Sequence, residues 1–555
     1  MEGIMKLTRR QPREQRRRNP FVAFVSFGKE FFSIGAVLML LGLALAVGAT
    51  TLEMLKHGGI LRLARGTDPQ SLDPATIGTI VEDGLLSSLL FMPLIDLVDG
   101  TNFLPCAAES WQASPDNRIF TFKLRPGVRF SNGREVVARD YVFTFERLLH
   151  PTNAFFLGSF FSNVRGAKAF CDGHTNRLAG VQTIPPNLFT IELDHPDPTF
   201  PYLLSCTAMP QEAIVGKEHQ YAVRPIGNGP YVVQEWIRGV RLHLTRNPYY
   251  SGPQPQHFDA VDVFIGGDDT VRQMMFERGE LDVGPASISR AMFHRLTHHQ
   301  HWRPLVEQAN LIGTCFVALN TEMPPLDNML VRRAINHAVD RDRRVGVNLG
   351  FYQHAEGVIP PPMPGYNPQL RGYAYNRELA RQLLHESGLR TPLRSELWHD
   401  PSDDSRLIAQ GIQWDLHQVG IEIDLKTVVA SELLAASQIR RKVPMSLTGV
   451  ICMIPDPQDI LGMTLDGRTA TNPATMNTSF YNNREVNRLL DEAVFEGNWE
   501  RRFKIYQQVE ELVVRDAPWI FLGHYRAFAL RQPWLKGRLL EPLWGMRLDR
   551  VWIER

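Results

Sequence analysis

Residues 118–149, RIFTFKLRPGVRFSNGREVVARDYVFTFERLL, carry the densest structural signal in the chain. Ile119 to Leu124 alternates, with Phe120, Phe122 and Leu124 on one side, and so predicts a strand with one buried face. Pro126-Gly127 breaks it, Val128-Arg129-Phe130 predicts a second short strand, and Ser131-Asn132-Gly133 predicts a tight turn. From Ala138 to Leu149 the spacing is helical, with Val142, Phe145 and Leu149 on one stripe. Asp140 near the start suits the positive end of the helix dipole.

Working outward, strand-like and helix-like stretches alternate along the rest of the chain. Gly59 to Ala64 opens with a strand and Val81 to Leu90 predicts a helix. Val261 to Ile265 is a strand and Asp269 to Arg278 a helix. Leu319-Asn320 closes another strand. Asp327 is an N-cap candidate for the helix that follows, whose buried stripe is Val331, Ile335, Ala338 and Val339. Leu393 to Trp398, Ile421 to Leu425 and Val443 to Ile451 read as strands, and Arg406–Gln418, Arg484–Glu496 and Glu500–Val514 as helices. Pro518–Phe521 and Phe528–Leu530 read as two last sheet segments. This alternation predicts an α/β class.

The chain has 555 residues, enough for two or three domains. Residues 1–49 hold eight basic side chains against Glu2, Glu14 and Glu30. Taking these 8 and 3 from the chain's 60 basic and 59 acidic residues leaves 52 and 56, a net charge of −4. A mildly acidic body argues against a nucleic-acid partner. Phe31 to Ala49, FFSIGAVLMLLGLALAVGA, is uncharged throughout and nearly long enough to span the ~30 Å hydrocarbon core. The basic residues 1–30 precede it and should stay cytoplasmic, with the body exported. Two readings fit residues 31–49: a signal peptide cleaved at the small residues Gly48 or Ala49, or an uncleaved membrane anchor. Met5 is an alternative start to Met1.

Several wider segments match one pattern. Residues 118–149 fit F-x-L-R-x-G-V-x-F-x-(N/D)-G followed by A-x-D-x-x-F-(T/S)-x-x-R. Pro105–Trp111 (PCAAESW), Gly166–Phe170 (GAKAF), Pro225–Tyr231 (PIGNGPY), Asn247–Tyr250 and Gly279–Asp282 fit further blocks. Cys315–Arg341, with its P-P-L-D-N-x-x-V-R-R-A-I core, fits another. Together they resemble the extracytoplasmic solute-binding proteins of ABC transporters, family 5, the dipeptide, oligopeptide and nickel receptors. The resemblance covers residues 57–545 and implies a two-lobed venus-flytrap fold. Lobe one would hold 57–85, 185–288 and 520–555, a small inserted domain 86–184, and lobe two 289–519. It implies a receptor that captures a short peptide or similar small molecule and delivers it to permease subunits with separate cytoplasmic ATPases. It implies a monomer in the periplasm, or one anchored to the outer face of the cytoplasmic membrane through 31–49. A non-peptide ligand and a membrane-tethered sensor are the alternatives.

In peptide-binding relatives an aspartate four residues before the proline of (D/E)-P pairs with the ligand's ammonium. That position here is Met453, preceded by Val450 and Cys452; Asp456 and Asp459 are the other acids at hand. By position, the resemblance adds Pro69, Gln70, Trp398, His399, Phe521 and His524 as cleft candidates. No GxSxG, HExxH or Walker A sequence is present, so no enzyme is expected. His294, His298, His299 and His301 cluster without a neighbouring Cys, Asp or Glu and read as a solvated helix end, so no metal or cofactor is expected. The five cysteines form no CxxC and none precedes Cys106, which excludes a lipid-modified cysteine after the apolar run. They read as free thiols, with Cys171–Cys206 the one disulfide to consider.

Overall fold

The structure, a computed structural model, describes residues 58–76, 80–100, 102–151, 156–285, 290–343, 350–543 and 545–554. The basic leader, the apolar run 31–49 and the choice between Met1 and Met5 lie outside the described residues. Among the described residues no helix is long and apolar enough to cross a membrane.

The segment 118–149 folds much as it reads. Ile119–Leu124 is a strand, and Phe120, Phe122 and Leu124 are buried in the same core. Val128-Arg129-Phe130 does not become a strand: it is held by one bridge, Arg129 to Glu135, in a loop closed by the turn at Gly133. Gly133 has φ +86°, which glycine adopts without strain. The helix spans Ala138–Leu148, and its carboxylate Asp140 accepts the Val137 amide at 2.9 Å. Tyr141, Thr144 and Phe145 are its deepest residues, whereas Val142 is only partly buried.

Around this unit lies a four-stranded antiparallel sheet, ordered Ala108–Ala113, Ile119–Leu124, Leu188–Glu192, Val181–Ile184. Its core runs from Ala75 to Tyr221 and so reaches past both expected limits, 86 and 184. The reason is that Leu188–Glu192 pairs with Ile119–Lys123, whereas Leu86, Leu89, Leu90 and Phe91 pack in the first-lobe core. The first-lobe sheet runs Ile60–Arg65, Ala260–Ile265, Arg241–Arg246, Tyr231–Ile237, its first pair parallel. The second lobe has six strands in the order Tyr352–His354, Trp519–Leu530, Val306–Leu319, Met445–Ile451, Leu393–His399, Ile421–Thr427. Two lobes with helices against mixed sheets make the α/β venus-flytrap architecture.

Two long strands join the lobes. Val306–Leu319 and Trp519–Leu530 pair antiparallel, with register shifts between Asn310 and Thr314 and between Cys315 and Phe316. Phe316 and Phe521 sit in the second-lobe core, whereas Ala529 packs in the first-lobe core and Leu530 beside Phe276, Leu281 and Leu296. Residues 520–525, expected in lobe one, therefore belong to the six-stranded sheet, and the crossing falls later in the same strand. Pro518–Phe521 and Phe528–Leu530 are one continuous strand for the same reason. The helix Met329–Ala338 is capped by Asn328, whose side chain accepts the Leu330 amide, rather than by Asp327. Val331, Ile335, Ala338 and Val339 form its buried stripe.

Glu510, in the helix Trp499–Asp516, accepts the amides of Val358 and Ile359 at 2.7 Å each through one oxygen. Its other oxygen is buried with no hydrogen-bond partner. Burial pushes this carboxyl up from 4.5 to about 7. Because the folded value lies above the unfolded one, its contribution to stability is complete below about pH 4.5 and is lost as pH rises through about 7. Asp459, pushed up from 3.8 to about 6 by burial, acts with the same sign in a lower window. Urea unfolding should therefore show the native chain weakening between about pH 5 and pH 8. Glu510→Gln, which keeps the accepting oxygen, should flatten most of that slope; an unchanged slope would contradict the assignment.

Candidate functional site

The loop after the first strand is fixed before it reaches the cleft. Asp68 accepts Trp236 Nε1 at 2.8 Å and the Gly239 amide at 2.6 Å. The carbonyl of buried Pro69 accepts Arg238 at 2.9 Å, and Gln70 is exposed. Asp73 pairs with Arg147 through both its oxygens, placing Pro74 on the wall of a cavity of about 250 Å³.

Each wall of that cavity comes from a different part of the chain. Ser87, Ser88, Phe91 and Met92 form one, at the end of the helix Ile80–Leu90. The PIGNGPY turn holds them. Asn228 accepts the Met92 amide at 3.0 Å and the Thr207 hydroxyl at 2.9 Å, and the Gly229 amide donates to Leu90. A Cβ on Gly229 would lie 2.3 Å from the Leu90 carbonyl carbon, so this close approach requires glycine. The inserted subdomain supplies Leu148, Phe160, Phe161, Tyr202 and Leu203, the C-terminal segment Met546 and Arg547, and the second lobe Met453. Carbon and sulfur dominate this lining.

Its charged groups satisfy one another. Arg547 reaches Asp96 at 3.0 Å and Asp549 at 2.6 Å, and Arg550 reaches Asp96 at 3.0 Å. Burial works against the Asp549 charge, but the hydrogen bond and charge of Arg547 outweigh it and hold its pKa below the usual range. Two carboxylates facing two guanidiniums leave no net charge for a solute to meet.

The acids near Met453 are also committed. Asp456 forms a two-point pair with Arg502, 3.0 Å at each contact, and caps the helix Pro457–Leu465 through the Gln458 amide. Both partners of that pair are buried, and removing one of such a pair typically costs ~3–5 kcal/mol. Asp459 accepts the Met453 amide at 2.5 Å and the Ile454 amide at 3.2 Å, which fixes the backbone that presents the Met453 side chain. Neither acid lines the cavity.

A second cavity, of about 230 Å³, lies in the second lobe beside the end of the strand Met445–Ile451. Thr448, Gly449, Val450, Cys315, Tyr352, Tyr525 and Asp400 line it. Gly449 is needed there because the Tyr525 hydroxyl occupies the place of a Cβ.

Of the residues expected from sequence, Met453 lines the first cavity and Val450 the second. The others line neither. Cys452 and Phe521 are packed in the second-lobe core, and burial pushes the Cys452 thiol well up. Trp398 packs against Leu433, Ala436 and Val443, donates to Glu396 at 2.8 Å and lies under Lys426. His399 is buried between the Asp400 carbonyl and the Thr427 hydroxyl. His524 bonds Thr314 at 2.9 Å, and burial lowers it to about 3, so it is neutral across the physiological range. Among the described residues no His, Cys, Asp and Glu group could hold a metal, and His294 and His298 simply stack. All five cysteines are free thiols, Cys171 and Cys206 included. Sequence reasoning missed Asp96, Arg547, Tyr202 and Asp400. Asp96 and Arg547 lie 451 positions apart, a separation that no local pattern bridges.

Residues 102–472 match the model of the bacterial extracellular solute-binding proteins, family 5. The chain belongs to this family. It is 27% identical over 500 residues to heme-binding protein A of Haemophilus influenzae, covering 85% of this chain and 88% of the relative. It is also 27% identical over 553 residues to the dipeptide-binding protein of Escherichia coli, covering 94% and 98%. The solved structure of the clavulanic acid biosynthesis oligopeptide binding protein 2 superposes with a TM-score of 0.82 at 24% identity, over 90% of this chain and 96% of that one. Members of family 5 bind solutes rather than transform them, so the chemistry of this chain is capture.

Proposed function

We propose that this family 5 protein is the extracytoplasmic receptor of an ABC importer. It captures a short peptide or a solute of similar size between its lobes and passes it to a membrane permease driven by separate ATPase chains. The observation that carries the reading is the first cavity, whose walls come from the first lobe, the inserted subdomain and, at Met453, the second lobe. A solute there touches both lobes at once and so favours the closed arrangement over the open one. The two crossing strands are the natural hinge, since their register shifts at Asn310–Thr314 and Cys315–Phe316 interrupt the ladder between the lobes. The receptor works as a monomer outside the cytoplasmic membrane. A phosphatase fused to the C-terminus should be active, and an inactive but stable fusion would contradict export. N-terminal sequencing of the native protein then separates cleavage near Ala49 from retention of residues 31–49 as an anchor.

Relatives are named for heme and for dipeptides, so ligand class has to be argued from this chain's own lining. Met453 stands where peptide receptors of the family carry an aspartate, and the first cavity offers a solute no unpaired charge. A peptide ammonium placed beside Met453 would lose its water without gaining a counter-charge. The first cavity therefore suits an apolar or N-blocked portion of the solute, with Met453, Met92 and Met546 as adaptable contacts. Calorimetry with a tripeptide and its N-acetylated form should show the free amine gaining at least about tenfold in relative affinity in Met453→Asp, an ionic hydrogen bond being worth ~1.5–3 kcal/mol. An unchanged ratio would mean that residue 453 does not face the amino end.

A further inference from the structure

The acids around the first cavity are paired with arginine, but the acid of the second cavity is not. Asp400 follows the strand Leu393–His399 and precedes the helix Asp403–His417. One of its oxygens accepts the Ser402 amide at 2.8 Å and the other accepts the Ser405 hydroxyl. Its carboxylate has no arginine, lysine or histidine partner among the described residues, in contrast to those of Asp96, Asp549 and Asp456, although its backbone carbonyl bonds His399. Burial works against its charge, but the bonds from Ser402 and Ser405 prevail and hold it below the usual carboxylate range. An ionised carboxylate therefore lines a cavity of about 230 Å³ with acceptor capacity to spare.

Aromatic side chains share this lining with Asp400. The Tyr352 and Tyr525 rings, 5.3 Å apart, line the same cavity, as does Phe316. The Asp400 charge is close enough to contribute to raising the pKa of both Cys315 and Tyr525. A fixed anion that shares a pocket with aromatic rings suits an organic cation.

The two cavities flank one piece of chain. Val450 lines the second and Met453 the first. The strand ends at Ile451, so the three residues from Val450 to Met453 span at most roughly 10 Å, within reach of a di- or tripeptide-sized solute.

We propose that the second cavity is a cation subsite of the cleft, in which Asp400, flanked by Tyr352 and Tyr525, holds an ammonium or guanidinium group of the solute. The proposal rests on the receptor reading and refines it. The aspartate that peptide receptors place at position 453 has no counterpart there, and the anion is displaced to the neighbouring pocket. The preferred solutes then carry an apolar portion at Met453 and a positive group about a residue or two away.

The test uses fragments too short to bridge the lobes, so its outcome is independent of cleft closure. Ligand-observed NMR titration of the full chain compares n-pentylammonium with n-pentanol. The ammonium should bind at least about tenfold more tightly, as expected for a hydrogen-bonded ionic contact. Asp400→Asn should erase that preference while leaving pentanol unchanged. Equal binding of the two probes by the native chain, or a preference that survives Asp400→Asn, overturns the proposal and leaves the receptor reading standing. Should Asp400→Asn fail to fold, Tyr352→Leu is read instead. A severalfold loss confined to pentylammonium supports the subsite, and no loss overturns it.

Discussion

The antiparallel pair Val306–Leu319 and Trp519–Leu530 is the constraint on which the rest of the architecture depends. One chain segment enters the second lobe and one returns, and the two bond to each other on the way. The lobes are thus coupled by backbone hydrogen bonds, which resist separation, while the shifts in register leave a place where the ladder can flex. Each strand is committed to a core at both ends. Phe316 stacks on Trp519 with ring centroids 3.5 Å apart in the second lobe, while Ala529 packs in the first. These anchors leave the middle of the strands as the place for the hinge of the proposed closure. Thr314 lies there, tied to His524 at 2.9 Å and to the Val358 carbonyl at 2.8 Å. Val358 in turn donates to Glu510, so the crossing is connected to the longest helix of the second lobe.

Charge is managed around the cleft in a consistent way. Asp96, Arg547, Asp549 and Arg550 form a closed set, as do Asp456 and Arg502, and these pairs hold distant segments together rather than meeting a solute. Isolated buried charges would be costly, and pairing them fixes the C-terminal segment against the strand Ile95–Val98 and the Asp456 loop against the helix Trp499–Asp516. The first cavity is left with an apolar surface, and on the proposed cation subsite selectivity for charge falls to the neighbouring pocket lined by Asp400.

Much of the fold was legible because its signals are local. Phe120, Phe122 and Leu124 alternate as a half-buried strand must, and Val331, Ile335 and Ala338 recur as a buried helical stripe must. Where two neighbouring residues could each satisfy the same need, the sequence was ambiguous: Asn328 caps the helix that Asp327 could have capped. Val128–Phe130 has strand-forming residues but too little chain before the Gly133 turn to form more than one bridge. The sheet's continuation past residue 184 was not legible, because the partner of Ile119–Lys123 lies far along the chain, at Leu188–Glu192. The site was less legible still. A motif points to Met453, which lines the first cavity, whereas Trp398 and Phe521 are packed in cores and His524 is buried against Thr314. Asp96 with Arg547, and Asp400 with Tyr525, meet only in three dimensions.

The central claim is that this chain encloses a small solute between two lobes. Native mass spectrometry of the protein isolated from its own cells tests it most directly, since a solute held by both lobes should survive purification. The account predicts one small molecule per chain, released on unfolding, with a positive group and an apolar portion. A bare chain that also acquires no adduct from mixtures of free and N-blocked short peptides would contradict it.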